Sequence, residues 1–164
     1  MGYSNGASVN NNYGFVPQNA AWAIASTGTG DKNNAVFAFA GQTGTVTSAS
    51  VQNAYINLYA HGTLGSLNGH EGTTNECHLQ QLKSTWAENT ITWSNVPSVD
   101  TTNQVTLKKS TSANQDYLQI DVTNLVKNTL DNGTIDNGFL LSLVNDKIKN
   151  SMIFKSKDYN TSDT

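Results

Sequence analysis

Residues 117–144 read YLQIDVTNLVKNTLDNGTIDNGFLLSLV, and this one stretch contains each kind of signal on which a fold prediction can rest. Apolar and polar residues alternate over residues 117–122, which is typical of a half-buried strand. The pair Asn137-Gly138 favours a turn, and a second strand-like run follows at residues 138–144. The stretch therefore begins and ends with a predicted strand.

Between these two strands the apolar spacing changes from two residues to that of a helix. Either Asp121 or Thr123 can cap the start of the helix, and the pair Asn132-Gly133 is typical of a helix C-terminus. The apolar residues at helical spacing are Val122, Leu125, Val126 and Leu130. We expect one helix of about two turns, lying between strands at one end of the fold.

Strand-like alternation recurs on both sides of this stretch. The further segments are residues 20–25, 34–40, 49–60, 76–83, 104–108 and 151–155. Many short strands separated by turns such as Asn68-Gly69 predict an all-β fold, a jelly-roll β-sandwich with one short helix. The length of 164 residues fits a single domain over 1–164.

The composition excludes several classes of function. Charged residues make up 13% of the chain, against about 25% in a typical domain. All nine basic residues are lysines and the net charge is −3, which disfavours nucleic acid as a partner. No apolar run approaches the roughly 18 residues that a membrane span needs, so we expect no membrane insertion. A polar surface with few charges favours an extracellular or cell-surface location.

Five groups of segments, in order along the chain, resemble one domain family. They are NNYG (11–14); VFAF (36–39); AYINLY (54–59); TWAENTITWSNVP (85–97); and DVTNLV (121–126) with NGFLL (137–141) and FKSKD (154–158). Together they resemble the DNRLRE-type, disaggregatase-related domain, also classed as the family-96 carbohydrate-binding module. The resemblance implies a jelly-roll β-sandwich attached to polysaccharide-degrading enzymes or to large cell-surface proteins of bacteria.

The same resemblance implies binding of alginate through a basic face built mostly from N-terminal strands. This sequence departs from that pattern, because Lys32 is its only basic residue between Tyr13 and Ala40. One lysine gives little attraction for a polymer with one negative charge per sugar. The resemblance therefore predicts the fold better than it predicts the sugar.

The candidate binding surface is the outer face of a sheet. If Ile56 and Leu58 point inward, Tyr55, Asn57 and Tyr59 point outward in a line. Aromatic rings stack on the C–H faces of sugars, and an amide can hydrogen-bond to their hydroxyl groups. We predict a polysaccharide site at Tyr55, Asn57 and Tyr59, extended by Tyr13 and Lys32. A loop or a neighbouring domain that covers this face is the alternative.

The strands beside this face are expected to contribute small side chains. Alternation directs Phe37 and Phe39 inward and Ala38 outward, and it directs Ala21 outward on the preceding strand. This arrangement predicts a smooth surface of alanines around the tyrosines.

Two other clusters favour structural roles. Trp86 and Trp93 flank a bend, and we expect them to pack in the core or at a corner. Residues 70–78 include His, Glu and Cys side chains, but Cys77 and His78 are neighbours on a predicted strand and point to opposite faces. We expect Cys77 to be a buried, inert thiol and this segment to hold no metal. A structural calcium ion would be compatible with the fold, but no motif supports one, and we expect no cofactor.

No catalytic triad or helical metal-binding motif is present, so we expect no enzyme activity. Asp121 and Glu88 are the carboxylates to consider for sugar hydrolysis, and both have simpler roles as cap and turn residues. The sequence leaves two functions open: a polysaccharide-binding module, or a spacer or adhesion domain within a larger surface protein. The family's outer strands look shortened or missing at both ends, which would leave an edge able to accept a partner strand.

Overall fold

A computed structural model describes residues 2–4, 10–12, 18–23, 32–39, 46–62, 68–146 and 149–159 of the chain. Nine strands and one α-helix lie in these ranges. In chain order they are β1 (Gly2–Ser4), β2 (Gln18–Ala23), β3 (Lys32–Phe37), β4 (Tyr55–Leu58), β5 (Cys77–Leu82), β6 (Val99–Leu107), β7 (Tyr117–Asp121), α1 (Thr123–Asp131), β8 (Phe139–Leu143) and β9 (Asn150–Lys155). The predicted all-β fold with one short helix is confirmed.

The strands form two antiparallel sheets. The large sheet has the order β6-β5-β8-β3-β2-β9, and β1 pairs additionally with β3. The small sheet consists of β4 and β7. Among the described residues, no helix has the length and apolarity that a membrane crossing requires.

Strand β8 is buried on both of its faces. Phe139, Leu141 and Leu143 belong to an inner core, which also contains Ile56 of β4 and Leu125 of α1. This inner core therefore lies between the large sheet on one side and the small sheet with α1 on the other. The next residue of β8, Leu140, points the opposite way, as successive residues in a strand must, and joins a second cluster on the outer face of the large sheet.

The tryptophan segment covers this outer face. Trp86 and Trp93 pack against a cluster that includes Ile91 and Leu140. The indole Nε1 of Trp86 donates a hydrogen bond to the carbonyl oxygen of Asn137 at 2.8 Å, so the one polar atom of the ring has a partner. The prediction that both tryptophans pack in the core or at a corner is confirmed.

The helix lies where the sequence predicted it, but its N-cap residue is Val122, without a side-chain capping bond, and neither Asp121 nor Thr123 takes that position. The carboxylate of Asp121 accepts a hydrogen bond from the backbone N–H of Thr123 at 2.9 Å, just where α1 begins. Gly133 follows the helix with φ +63°. At Gly138, with φ +74°, a Cβ atom would lie 2.4 Å from the carbonyl oxygen of Phe37, so only glycine lets β8 start this close to β3.

Several strand boundaries differ from prediction, among them β3, which was expected over residues 34–40 and spans Lys32–Phe37. The strand expected over residues 49–60 is confined to Tyr55–Leu58, because Thr47 and Ser50 bond to each other and hold a 3-10 turn before it. The strand expected over residues 104–108 extends over Val99–Leu107, since its polar first half pairs with β5 and needs no apolar alternation. The N-terminal outer strand, expected to be shortened or missing, is the three-residue strand Gly2–Ser4.

The outer edge of β9 is closed. The backbone groups of Ser151 exchange two hydrogen bonds with Glu71, at 2.9 and 3.1 Å. The carbonyl of Ile153 accepts from the N–H of His61 at 3.0 Å, and the N–H of Lys155 donates to the carbonyl of Tyr59 at 2.9 Å. The open edge expected from the sequence is therefore not found at β9.

The N–H of Ile153, between these backbone bonds, is bonded to a side chain instead, and His70 supplies the acceptor. Its Nδ1 accepts from Ile153 at 3.0 Å, while its Nε2 lies 3.0 Å from the carbonyl oxygen of Gln115. A carbonyl only accepts, so Nε2 carries the proton and the ring is neutral. The ring is buried and lies 4.9 Å from the ring of Phe154, between centroids.

The segment over residues 70–78 has structural roles. Cys77 is fully buried in the inner core, and this burial raises the pKa of its thiol. Glu71 forms an ion pair with Lys149 at 3.1 Å. In the described part of the chain, no group of three His, Cys, Asp or Glu side chains is arranged to hold a metal ion.

His70 makes the stability depend on pH. Burial lowers its pKa below the ordinary value of 6.5, although the carbonyl of Gln115 and the charge of Asp116 act in the opposite direction. As the pH falls below about 6.5, His70 therefore binds a proton in the unfolded chain before it does so in the folded one. The free energy of unfolding decreases with falling pH until the pKa of His70 in the folded state is passed. Urea denaturation between pH 7.5 and 5 measures this slope. His70→Gln can donate and accept at the same places without titrating and is the control. An equal slope in both proteins would contradict the prediction.

Trp86→Ala should lower the free energy of unfolding by about 3 kcal/mol, because it removes a large ring from the outer cluster. Trp86→Phe keeps most of the apolar contact and loses the hydrogen bond to Asn137, so its effect should be near 1 kcal/mol. Chemical denaturation of the two variants compares these losses. If Trp86→Ala unfolds at the same denaturant concentration as the wild-type chain, the ring has no packing role.

Candidate functional site

A groove opens where the end of β3, the strand β4 and the segment after β9 meet. Its volume is about 640 Å³, and we call it the aromatic groove. Its lining comprises residues 36–39, Tyr55–Leu58, Trp86, Glu88 and residues 155–158. Four of these side chains are aromatic, namely Phe37, Phe39, Tyr55 and Trp86. A concave surface with aromatic walls and a few polar groups is typical of a ligand site.

Phenylalanines form the wall of the groove on the side of the large sheet. The rings of Phe37 and Phe39 meet edge to face with centroids 6.0 Å apart, and both lie near Phe139 of the inner core. Phe39 was predicted to point inward, and this is wrong, because half of its surface is exposed. Residue 39 lies beyond the last residue of β3, where strand alternation no longer determines direction. Ala21, predicted to point outward, is fully buried in the inner core.

Tyr55 and Asn57 form the opposite wall. Exposed and buried residues alternate along β4, so that Tyr55 is 58% exposed and Ile56 only 8%. The side-chain oxygen of Asn57 accepts a hydrogen bond from the backbone N–H of Gln119 at 2.7 Å. This bond fixes the amide, and its NH₂ group is the donor that Asn57 offers to a ligand. Two of the five predicted site residues thus line the groove.

The charges around the groove balance one another. Lys157 lies 3.2 Å from Glu88 and 3.0 Å from Asp158, and these hydrogen bonds, that with Asp158 first, raise the pKa of its ammonium group. The ammonium of Lys155 lies 4.5 Å from the ring centroid of Tyr159. Two lysines and two carboxylates line the groove, so their formal charges sum to zero.

The other predicted site residues lie elsewhere. Tyr59 is 51% exposed but follows the end of β4 and does not line the groove. Lys32 starts β3, about 17 Å along the strand from Phe37, and its ammonium group is paired with Asp146 at 2.9 Å. Tyr13 lies outside the described residues. These three stay predictions, and the geometry does not bring Tyr59 or Lys32 to the groove.

The sequence analysis did not predict that Phe39, Trp86, Glu88 and residues 155–158 line the groove. Each of them lies inside a segment that carried the family resemblance. That resemblance was the available signal, because alternation assigned Phe39 to the core and the size of its ring assigned Trp86 there. The groove brings these separate segments together only in three dimensions.

A second cavity adjoins the aromatic groove, and we call it the apolar pocket. Its volume is about 280 Å³. It lies beside α1, and its lining is Phe39, Ala54, Tyr55, Ile56, Leu79, Val122, Val126, Ile135 and Phe139. Phe39, Tyr55 and Ile56 line both cavities.

The comparison with protein families gives one match. Residues 3–164 match the family described as carbohydrate-binding module family 96. Among curated proteins, no sequence matches the chain.

The two neighbours Tyr55 and Ile56 should respond differently to truncation. Tyr55→Ala removes an exposed ring and should change the free energy of unfolding by less than about 0.5 kcal/mol. Ile56→Ala creates a cavity in the inner core and should lower it by about 2–5 kcal/mol. Denaturation of both variants in urea tests this contrast. A large loss in Tyr55→Ala would show that its ring supports the fold rather than facing a ligand.

Proposed function

Since the chain belongs to carbohydrate-binding module family 96, we propose that it is a non-catalytic module that binds a neutral polysaccharide in the aromatic groove. The observation that carries the proposal is the position of the groove's aromatic rings. Tyr55 and Phe39, each at least half exposed, line the same concave surface from two different sheets. A sugar ring between them would meet aromatic faces on both sides.

Aromatic rings suit the C–H faces of sugars. The face of an aromatic ring is negative and its edge positive, while the C–H groups of a pyranose carry partial positive charge. Stacking therefore gains both apolar burial and electrostatic attraction. Asn57 and the charged side chains at the rim supply hydrogen bonds for the hydroxyl groups at the edges of the sugar.

The charge balance favours a neutral polymer over a polyuronate. Lys157 is shared between Glu88 and Asp158, Lys155 supplies the second positive charge of the groove, and Lys32 is bound to Asp146 away from it. Lys155 is then the groove's one cation without a carboxylate partner among the described residues. A groove without net charge does not concentrate a polyanion from solution.

We also propose that the domain acts outside the cell or at its surface, as part of a larger bacterial protein. The low content of charged residues and the single buried thiol of Cys77 agree with that location. Neighbouring domains of the parent protein would then act on, or be held close to, the bound polymer.

Affinity electrophoresis against glucans, mannans, xylan, pectin and alginate tests the function. We expect retention on at least one neutral polymer, and we expect Tyr55→Ala to weaken it by about tenfold, equivalent to about 1.4 kcal/mol. Tyr59→Ala is the matched control, since it removes an equally exposed tyrosine outside the groove. Equal losses in both variants would instead place the site on the whole outer face of β4.

Absence of retention on every polymer would contradict the proposal and favour a structural spacer or adhesion domain. Retention on alginate alone, lost on mutation of Lys155, would contradict the neutral specificity but not the binding function.

A further inference from the structure

The apolar pocket is lined mainly by hydrocarbon side chains. The side chains that line it are hydrocarbon except for Tyr55, whose ring is exposed toward the groove. Both backbone groups of Ala54, in its wall, are already paired. The N–H of Ala54 donates to the hydroxyl of Thr123 at 3.0 Å, and its carbonyl accepts from the N–H of Val122 at 2.9 Å. Water in such a space lacks the two to four polar partners that it normally finds.

The pocket lies beside the aromatic groove. Phe39, Tyr55 and Ile56 line both cavities, and Phe39 and Tyr55 are exposed. A sugar that stacks on Tyr55 in the groove would therefore lie close to the pocket. The volume of about 280 Å³ is many times the roughly 30 Å³ that one molecule of liquid water occupies, which leaves room for a substituent of several heavy atoms.

The two cavities together match a ligand with a polar body and an apolar appendage. Ester-linked acyl groups are the apolar appendages that neutral polysaccharides carry on their hydroxyl oxygens. We propose that the apolar pocket receives an O-acyl group of the bound polymer, so that the module selects acylated over unacylated chains. This inference rests on the proposed function and adds the substrate feature that the groove alone does not define.

The test compares acetylated glucomannan and acetylated xylan with the same polymers after alkaline removal of their esters. We expect the wild-type chain to bind an acetylated form about tenfold more tightly, the discrimination typical of one small apolar group in a fitted pocket. This comparison uses the wild-type chain alone and does not depend on the folding of any variant.

Ala54→Leu then locates the effect. The added carbon atoms would occupy the pocket, so the variant should bind the deacylated polymer as the wild-type chain does and lose the preference for the acetylated one. Ala113→Leu adds the same atoms at an exposed alanine outside both cavities and is the control. Thermal unfolding of each variant verifies that the fold is intact.

Three results would overturn the inference. Equal binding of acetylated and deacylated polymer, with the Tyr55→Ala effect intact, would reject the acyl pocket and leave the proposed function standing. A preference that persists in folded Ala54→Leu would place acyl recognition elsewhere. Retention of no polymer in either form would reject this inference and the proposed function together.

Discussion

The closure of β9's outer edge is the constraint on which the rest of the structure depends. An unpaired strand edge would leave the N–H and carbonyl groups of Ser151 and Ile153 without partners in a region where the side chains are buried. The segment that follows β4 satisfies them, with His70 acting as an acceptor where no backbone carbonyl reaches. Because that segment continues directly from β4, closing the edge also holds β4 beside the end of β3. The aromatic groove lies between these two elements.

The large sheet is covered on both faces, and one of its covering residues also lines the groove. Leu140 and Leu141 are adjacent in β8 and serve opposite cores, so the sheet needs a covering layer on each face. The small sheet and α1 cover one face, and the tryptophan segment covers the other. Trp86 belongs to the second layer and also lines the groove. Its ring thus packs against the sheet and also forms part of the groove, so a residue correctly assigned to the core can line the proposed binding surface as well.

Alternation in the sequence predicted side-chain directions correctly within a strand and wrongly beyond its end or where its outer face is covered. The alternation along β4 correctly placed Tyr55 and Asn57 outward, because each residue of a strand points opposite to its neighbour whatever the sheet pairs with. The same rule failed at Phe39, since the strand ends at Phe37. It failed at Ala21 because β2 is covered on the face that was expected to be open. The groove itself depends on which distant segments pair and in what register, and local sequence patterns do not reveal that pairing.

The charged residues of the groove affect its shape more than its electrostatic potential. Glu88 and Asp158 hold Lys157 from two sides, which joins the segment after β9 to the tryptophan segment and forms a defined rim. Exposed ion pairs contribute little to stability, but here they fix two loops relative to each other. When the charges of the rim pair with one another, the proposed site would discriminate ligands by shape and apolar contact rather than by charge. The fold supplies the frame, and the side chains at its strand ends and loops supply the selectivity, which is why family membership establishes the class of ligand but not its identity.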